Sequence, residues 1–189
     1  VGKVRVLVQA PAALRAQIVA TIRLIEIDSN GCAISHPISG DPGMTPDPAT
    51  EVGSLSSVTA VAACKYAIGA GRDWFGAGLL SSLRLTGPAA QAAIDRIAQA
   101  PRGGGPNSPS TCAVDYSYGD DIIVLSVTSG QTTSEIYLRY SGCDHSGFDD
   151  GVAVRSLTAA AVEPLVAGPN AIGALSGPRE KVEMVRSGR

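Results

Sequence analysis

The pattern of hydrophobic and polar positions predicts short elements joined by long loops. Alternation over Val4–Val8 predicts a strand, Pro11 opens a helix with one apolar stripe, and Leu24–Ile27 predicts a second strand. Together they form a predicted N-terminal β-α-β segment over residues 1–36. Residues 37–57 hold four prolines among glycine, serine and threonine. Such a run predicts a long loop or an inter-lobe linker, because proline removes a backbone donor and breaks regular structure.

The main α+β region is predicted over residues 58–175, and residues 176–189 are predicted to be a flexible charged tail. In the clearest hairpin, Ile136 and Leu138 alternate with Glu135, Tyr137 and Arg139, which predicts one buried face and one wet face. Strands are predicted at 58–66, 79–85, 122–127 and 133–140, and helices after Thr86 and Thr158.

These elements predict an α+β fold, with a mostly antiparallel sheet and about three helices packed on it. Two small lobes joined by the proline-rich run are the alternative arrangement. A chain of 189 residues with 44% hydrophobic residues is long enough to bury a core. With 17% charged residues, it is neither intrinsically disordered nor a coiled coil.

The charge balance gives no sign of a polyanionic partner. The formal net charge is −2, which predicts no nucleic-acid binding and no attraction to an anionic membrane. No apolar stretch reaches the roughly 18 residues that a membrane helix needs. The chain begins at Val1 rather than Met, and no signal-peptide pattern is present, which fits a trimmed exported protein or an ectodomain.

Four dispersed cysteines without a C-x-x-C pattern predict two disulfides and an oxidising compartment. Four cysteines allow three pairings. We favour Cys32–Cys64 and Cys112–Cys143, because each pair joins segments on either side of a loop-rich stretch. The alternative is four buried, reduced cysteines in a cytosolic protein.

The catalytic motifs G-x-S-x-G, H-E-x-x-H, S-x-x-K and G-x-x-x-x-G-K-[ST] do not occur. His36 is expected to be a solvated loop residue. The loop with Asp144, His145, Asp149 and Asp150 carries nitrogen and oxygen ligands that could form a metal or polar site. The alternative is that the aspartates cap turns and His145 is exposed. No cofactor is expected.

A glycine-flanked tip contains the chain's only clustered large aromatic residues. Arg72, Trp74 and Phe75 are candidate partner contacts, since tryptophan and arginine are common at interface hot spots. The alternative is that the two rings fill the core from a loop.

Short motifs across the last two-thirds of the chain provide a resemblance. The motifs are Cys64-Lys65-Tyr66, Leu83–Gly87, Thr111-Cys112-Ala113, Tyr118-Gly119-Asp120 and Leu138–His145. In these motifs the chain resembles a group of uncharacterised exported proteins of actinomycete bacteria. The resemblance implies a secreted or cell-envelope location. It implies no catalytic residue, because the group has no established activity.

From these features we expect a non-enzymatic, extracytoplasmic binding or structural module whose partner is a protein or an envelope component. The alternative is a hydrolase or metal-dependent enzyme centred on His145 with Asp144, Asp149 or Asp150.

Overall fold

The structure, a computed structural model, describes residues 6–69 and 78–172. The strands in these ranges form one antiparallel sheet. The strands are β1 (Val58–Ala67), β2 (Leu79–Thr86), β3 (Asp121–Ser129), β4 (Thr132–Arg139), β5 (Gly147–Asp149) and β6 (Val154–Arg155). Their order in the sheet is β2-β1-β3-β4-β5-β6, and every neighbouring pair is antiparallel. The predicted α+β class is therefore confirmed. All six strands belong to one continuous sheet.

Three α-helices accompany this sheet in the described ranges: α1 (Ala12–Thr21), α2 (Pro88–Gln99) and α3 (Ala159–Val162). Helix α2 begins at a proline, as the sequence predicts, and buries Ala90, Ala93, Ile94 and Ile97. Thr158 caps α3, and its hydroxyl accepts a hydrogen bond from the backbone N–H of Ala161. Helix α1 buries none of its residues, so only α2 and α3 contribute to the core.

The main core lies between one face of the sheet and helices α2 and α3. Alternate residues point to this face, as the period of two in a strand requires. They include Val61 and Ala63 of β1, Ile123, Leu125 and Val127 of β3, and Ile136 and Leu138 of β4. Burying each large aliphatic side chain contributes about 1.5–3 kcal/mol, so this layer dominates the stability of the fold.

Part of the opposite face of the sheet is covered by the first half of residues 37–57, a segment that we call the strap, whereas Val52 farther along the strap packs into the main core. Ile38 of the strap is fully buried and packs with Tyr66, Val124 and Tyr137 of the sheet. The prediction of a wet face is therefore wrong for Tyr137, which is 1% exposed, and for Arg139, which is 6% exposed, whereas the Glu135 side chain keeps 36% of its surface exposed. Alternation located these side chains on one face, but a distant segment of the chain removes part of that face from water.

The N-terminal segment differs from the predicted β-α-β unit. Helix α1 is present, but Leu24–Ile27 makes only a single bridge, between Ile27 and Ala33. The chain turns back at this point because the Asp28 carboxylate accepts hydrogen bonds from the backbone N–H groups of Asn30 and Cys32. The segment therefore forms a tight turn with one bridge and is not a strand of the described sheet.

Two disulfides connect the loops to this framework. The predicted pairs Cys32–Cys64 and Cys112–Cys143 are both confirmed, each with a Cα–Cα distance of 5.5 Å. Between residues 6 and 172, outside the gap at 70–77, no helix is long and apolar enough to cross a membrane. The candidate contacts Arg72, Trp74 and Phe75 lie outside the described residues, as does the predicted tail at 176–189.

Candidate functional site

A groove of about 320 Å³ opens beside the ends of β4, β5 and β6. Five segments separated in sequence form it: the strap, the loop after α2, the loop before β3, the β4–β5 loop, and the strands themselves. The lining residues are Gly43, Gly104, Asn107, Tyr118, Arg139, Asp144, His145, Ser146, Asp149 and Val154. This volume lies at the lower end of the roughly 300–1,000 Å³ typical of small-molecule sites.

The floor of the groove is a buried ion pair between neighbouring strands. Arg139 ends β4 and Asp149 ends β5, and their Nη1 and Oδ2 atoms are 2.8 Å apart. The guanidinium also donates hydrogen bonds to the backbone carbonyls of Pro42 and Met44 in the strap. The other Asp149 oxygen accepts the backbone N–H of Gly151 at 2.9 Å. The floor is therefore neutral as a pair and connects three segments of the chain.

One side of the groove is a stacked pair of aromatic rings. Tyr118 and His145 lie 4.5 Å apart between ring centres, with only 9° between their planes. His145 adopts φ +53°, and the Asp144 carboxylate accepts its backbone N–H at 2.8 Å. The tyrosine is half-buried, whereas 51% of the imidazole side chain is exposed. A rigid aromatic surface therefore faces solvent at the rim of the groove.

The loops that carry these rings interlock closely. The Cys112–Cys143 bridge joins them, and the backbone N–H of Asp144 donates to the carbonyl of Ser117 at 3.0 Å. A Cβ atom at Gly142 would overlap with the same Ser117 carbonyl. Only glycine fits there, because the two backbones approach more closely than any side chain permits. The position of Tyr118 against His145 is thus set by covalent and steric constraints.

The glycine-rich turn after α2 also lines the groove. The backbone N–H of Gly105 donates to the Ser146 carbonyl at 2.7 Å, and Asn107 Oδ1 accepts the Ser146 N–H at 3.0 Å. A Cβ atom at Gly104 would lie 2.8 Å from the Ser146 carbonyl oxygen. The turn and the β4–β5 loop are therefore packed backbone to backbone, which leaves the Asn107 side chain at the rim.

The predicted His145 cluster is brought together only in part. Asp144, His145 and Asp149 all line the groove, but Asp150 does not. Its two oxygens accept hydrogen bonds from the backbone N–H groups of Val52, Val152 and Ala153. Asp150 is 1% exposed, so it is a buried turn residue that connects the strap to the β5–β6 turn. No three His, Cys, Asp or Glu side chains within residues 6–69 and 78–172 converge in a way that could hold a metal ion.

We expect Asp150→Asn to lower the free energy of unfolding by about 1–3 kcal/mol, because one oxygen becomes an amide N–H₂ facing backbone donors. Urea unfolding measures this loss. The matched control is Glu163→Gln, an exposed position that we expect to change stability by no more than about 0.5 kcal/mol. Equal effects of the two variants would show that the Asp150 hydrogen bonds are not structural.

A second polar cluster, which the sequence did not reveal, lies where the strap crosses β4. His36 was expected to be solvated, yet its side chain is only 12% exposed and packs 5.3 Å from the Tyr66 ring. Its Nδ1 accepts the backbone N–H of Ile38 at 3.1 Å, and its Nε2 lies 3.4 Å from a Glu135 oxygen. The other Glu135 oxygen accepts the Tyr137 hydroxyl at 3.0 Å. Both imidazole nitrogens are therefore used in holding the strap.

These contacts shift several pKa values. The hydrogen bond from His36 holds the pKa of Glu135 below its ordinary value, and this effect outweighs the opposing effect of burial. Burial, together with the nearby Glu135 and Asp28 carboxylates, raises the pKa of Tyr66 to about 12. Burial, with Glu135 adding to it, also raises the pKa of Tyr137. The cluster therefore favours an ionised Glu135 beside two neutral tyrosines.

We expect the lowered Glu135 pKa to make stability depend on pH in the acid range. The unfolded chain binds the proton at a higher pH than the folded chain does, so this contribution is present above pH 4.5, the ordinary glutamate value, and is lost below it. Glu135→Gln should make the decline of unfolding free energy below pH 4.5 shallower, as measured by urea unfolding across pH. Glu26→Gln, at an exposed position, should leave the decline unchanged, and an identical decline in all three proteins would contradict the assignment.

Comparison of the chain with protein-family models, with curated proteins and with solved structures finds no match. The function is therefore inferred from the chemistry of the groove itself.

Proposed function

We propose that this protein is a non-enzymatic, extracytoplasmic binding module and that a small ligand occupies the groove beside Tyr118 and His145. The observation that carries the proposal is the groove itself, a concave site of about 320 Å³ with a stacked aromatic side and a few polar groups. Concave sites with an apolar surface and a few fixed polar groups are typical of small-molecule binding.

The location is supported by the covalent structure. All four cysteines are in disulfides, and disulfides persist mainly in oxidising compartments such as the cell envelope or the medium. One bridge, Cys112–Cys143, lies within the loops that form the groove. A site held rigid in this way loses less conformational entropy when it binds a ligand.

A binding role is favoured because the buried carboxylates are already engaged. Asp149 is paired with Arg139, and Asp150 accepts three backbone hydrogen bonds. A general acid or base needs a proton that can move between the side chain and a substrate. Groups saturated by structural hydrogen bonds are poor candidates for that task.

The hydrolase alternative rests on the position of His145 at the rim together with Asp144. Their Nε2 and Oδ2 atoms are 3.7 Å apart, which is beyond hydrogen-bond distance, and the imidazole lies flat on Tyr118. A hydrolase would need Asp144 and His145 to come within hydrogen-bond distance of each other when a substrate binds. Loss of activity toward a hydrolysable substrate in both His145→Gln and Asp144→Asn would favour the alternative.

An NMR titration tests the binding proposal. Isotope-labelled protein is mixed separately with neutral methyl glycosides, acetate, inorganic phosphate, methylammonium and calcium, and amide shifts are followed. We expect at least one probe to shift the amides of Gly104, Tyr118, His145 and Ser146 saturably. If no probe shifts the groove amides, or if shifts occur only elsewhere, the proposal is wrong.

A further inference from the structure

We infer that the groove binds a single neutral sugar ring, stacked on the exposed face of the His145 ring, whose other face lies on Tyr118. This inference rests on the proposed function, since it names the ligand class of the same groove. Three observations carry it: the charge balance of the lining, the mixture of donors and acceptors, and the stacked rings.

The charge balance disfavours a charged ligand. Arg139 cannot act as a free cation, because it is paired with Asp149 and donates to the carbonyls of Pro42 and Met44. An anion entering the groove would also meet the carboxylate of Asp144. For a cation, Asp149 is already neutralised, and no third ligand-type side chain in the described parts of the chain joins Asp144 and His145. A neutral molecule avoids the repulsion from Asp144 and needs no third ligand.

The polar groups match hydroxyls, which both donate and accept hydrogen bonds. The Asp144 side chain is 31% exposed, so its carboxylate can accept a hydrogen bond from a ligand hydroxyl at the rim. Asn107 uses Oδ1 to bind the Ser146 N–H, and its amide N–H₂ remains at the exposed edge as a donor. A polyol can satisfy the acceptor and the donor at once, whereas an apolar ring would leave both without a partner.

The aromatic pair supplies the surface against which a sugar ring packs. One face of a pyranose carries C–H groups with partial positive charge, and an aromatic face carries negative charge density. The His145 ring is held parallel to Tyr118, and 51% of its side chain is exposed. The cavity of about 320 Å³ is at the lower end for small-molecule sites, so it has room for a sugar ring.

The test compares methyl β-glucopyranoside, methyl α-mannopyranoside and methyl β-galactopyranoside by NMR titration of the intact, oxidised protein. We expect at least one of them to shift the amides of Tyr118, His145 and Ser146 saturably, with a dissociation constant in the millimolar range. His145→Ala should weaken this binding by up to about tenfold, because the stacking surface is lost. Tyr118→Ala should weaken it as well, because Tyr118 holds the His145 ring in place. Val114→Ala, the control, lies on the same loop as Tyr118, is 92% exposed and does not line the groove, so it should change binding by less than about threefold.

The outcomes separate this inference from the proposed function. If acetate, phosphate, methylammonium or calcium shifts the groove amides and no glycoside does, the sugar inference is wrong and the binding module stands. If no probe of any class shifts them, both are wrong. Glycoside binding that survives both alanine variants, or that shifts amides away from the groove, also overturns the inference. Should Tyr118→Ala not fold, His145→Ala decides alone, because its ring is at the exposed rim.

Discussion

We expect Arg139→Met to lower the free energy of unfolding by about 3–5 kcal/mol, the largest effect of any single substitution considered. Methionine keeps much of the side-chain volume but removes the cation that faces Asp149 in a buried pair. An ionised carboxylate buried without its partner costs several kilocalories per mole. The strap carbonyls of Pro42 and Met44 lose their donors in the same variant. Urea unfolding at neutral pH measures the total.

Two further variants isolate the contribution of the ion pair. Arg102→Met is the matched control, because its guanidinium pairs with Glu51 at 2.9 Å but its side chain is 66% exposed. Exposed ion pairs contribute about 0–1 kcal/mol to stability, so the free energy of unfolding of this variant should stay close to that of the wild type. Adding Asp149→Asn to Arg139→Met should restore part of the loss, since the buried charge then disappears. A loss below about 1 kcal/mol for Arg139→Met would contradict the assignment.

Removing the Cys32–Cys64 bridge by substituting both residues with alanine should lower the free energy of unfolding by about 3–4 kcal/mol. The bridge closes a loop with a sequence separation of 32, and the stabilisation grows with the logarithm of loop length. Both cysteines are buried, at 1% and 2% exposure, so the alanine variant also loses sulfur packing beneath the strap. Guanidinium unfolding of the oxidised proteins measures the difference.

The second bridge provides the matched comparison, because Cys112 and Cys143 are separated by 31 residues and close a loop of nearly the same length. The chain-entropy contribution should therefore be about equal for the two pairs. We expect Cys112→Ala with Cys143→Ala to destabilise the protein less than loss of the buried pair, since its cysteines lie nearer the surface. If loss of the buried pair proves the milder of the two, packing of its sulfurs is not a stabilising contribution.

Elements formed by local pattern were predictable from the sequence. The β3–β4 hairpin and helix α2 follow from alternation and from a proline at a helix start, and both form nearly where they were predicted. The short strands β5 and β6 span three and two residues, which is too short for any alternation to be recognised. They form because β4 offers an edge with which β5 can pair, and β5 in turn pairs with β6.

The site was only partly predictable, because distant segments build it. His145 and Asp144 were identified as candidates, but the sequence gives no reason to place Tyr118 against His145, 27 positions along the chain, or Gly43 across the groove. Likewise Arg139 was assigned to a wet face, since its partners in the strap lie 95 and 97 positions earlier. Alternation reports which side chains share a face and not what covers that face.

The strap also determines the order in which the chain can mature. Residues 37–57 precede every strand that they cover, so a chain delivered N-terminus first presents the strap before its docking surface exists. Arg139, which anchors the strap, is the last residue of β4. The native surroundings of the Cys32–Cys64 bridge therefore form only after most of the sheet has been made. Under oxidising conditions an early wrong pairing of Cys32 must be undone by thiol–disulfide exchange. Maturation of this protein should thus accelerate when a disulfide isomerase is present, although the finished fold needs none.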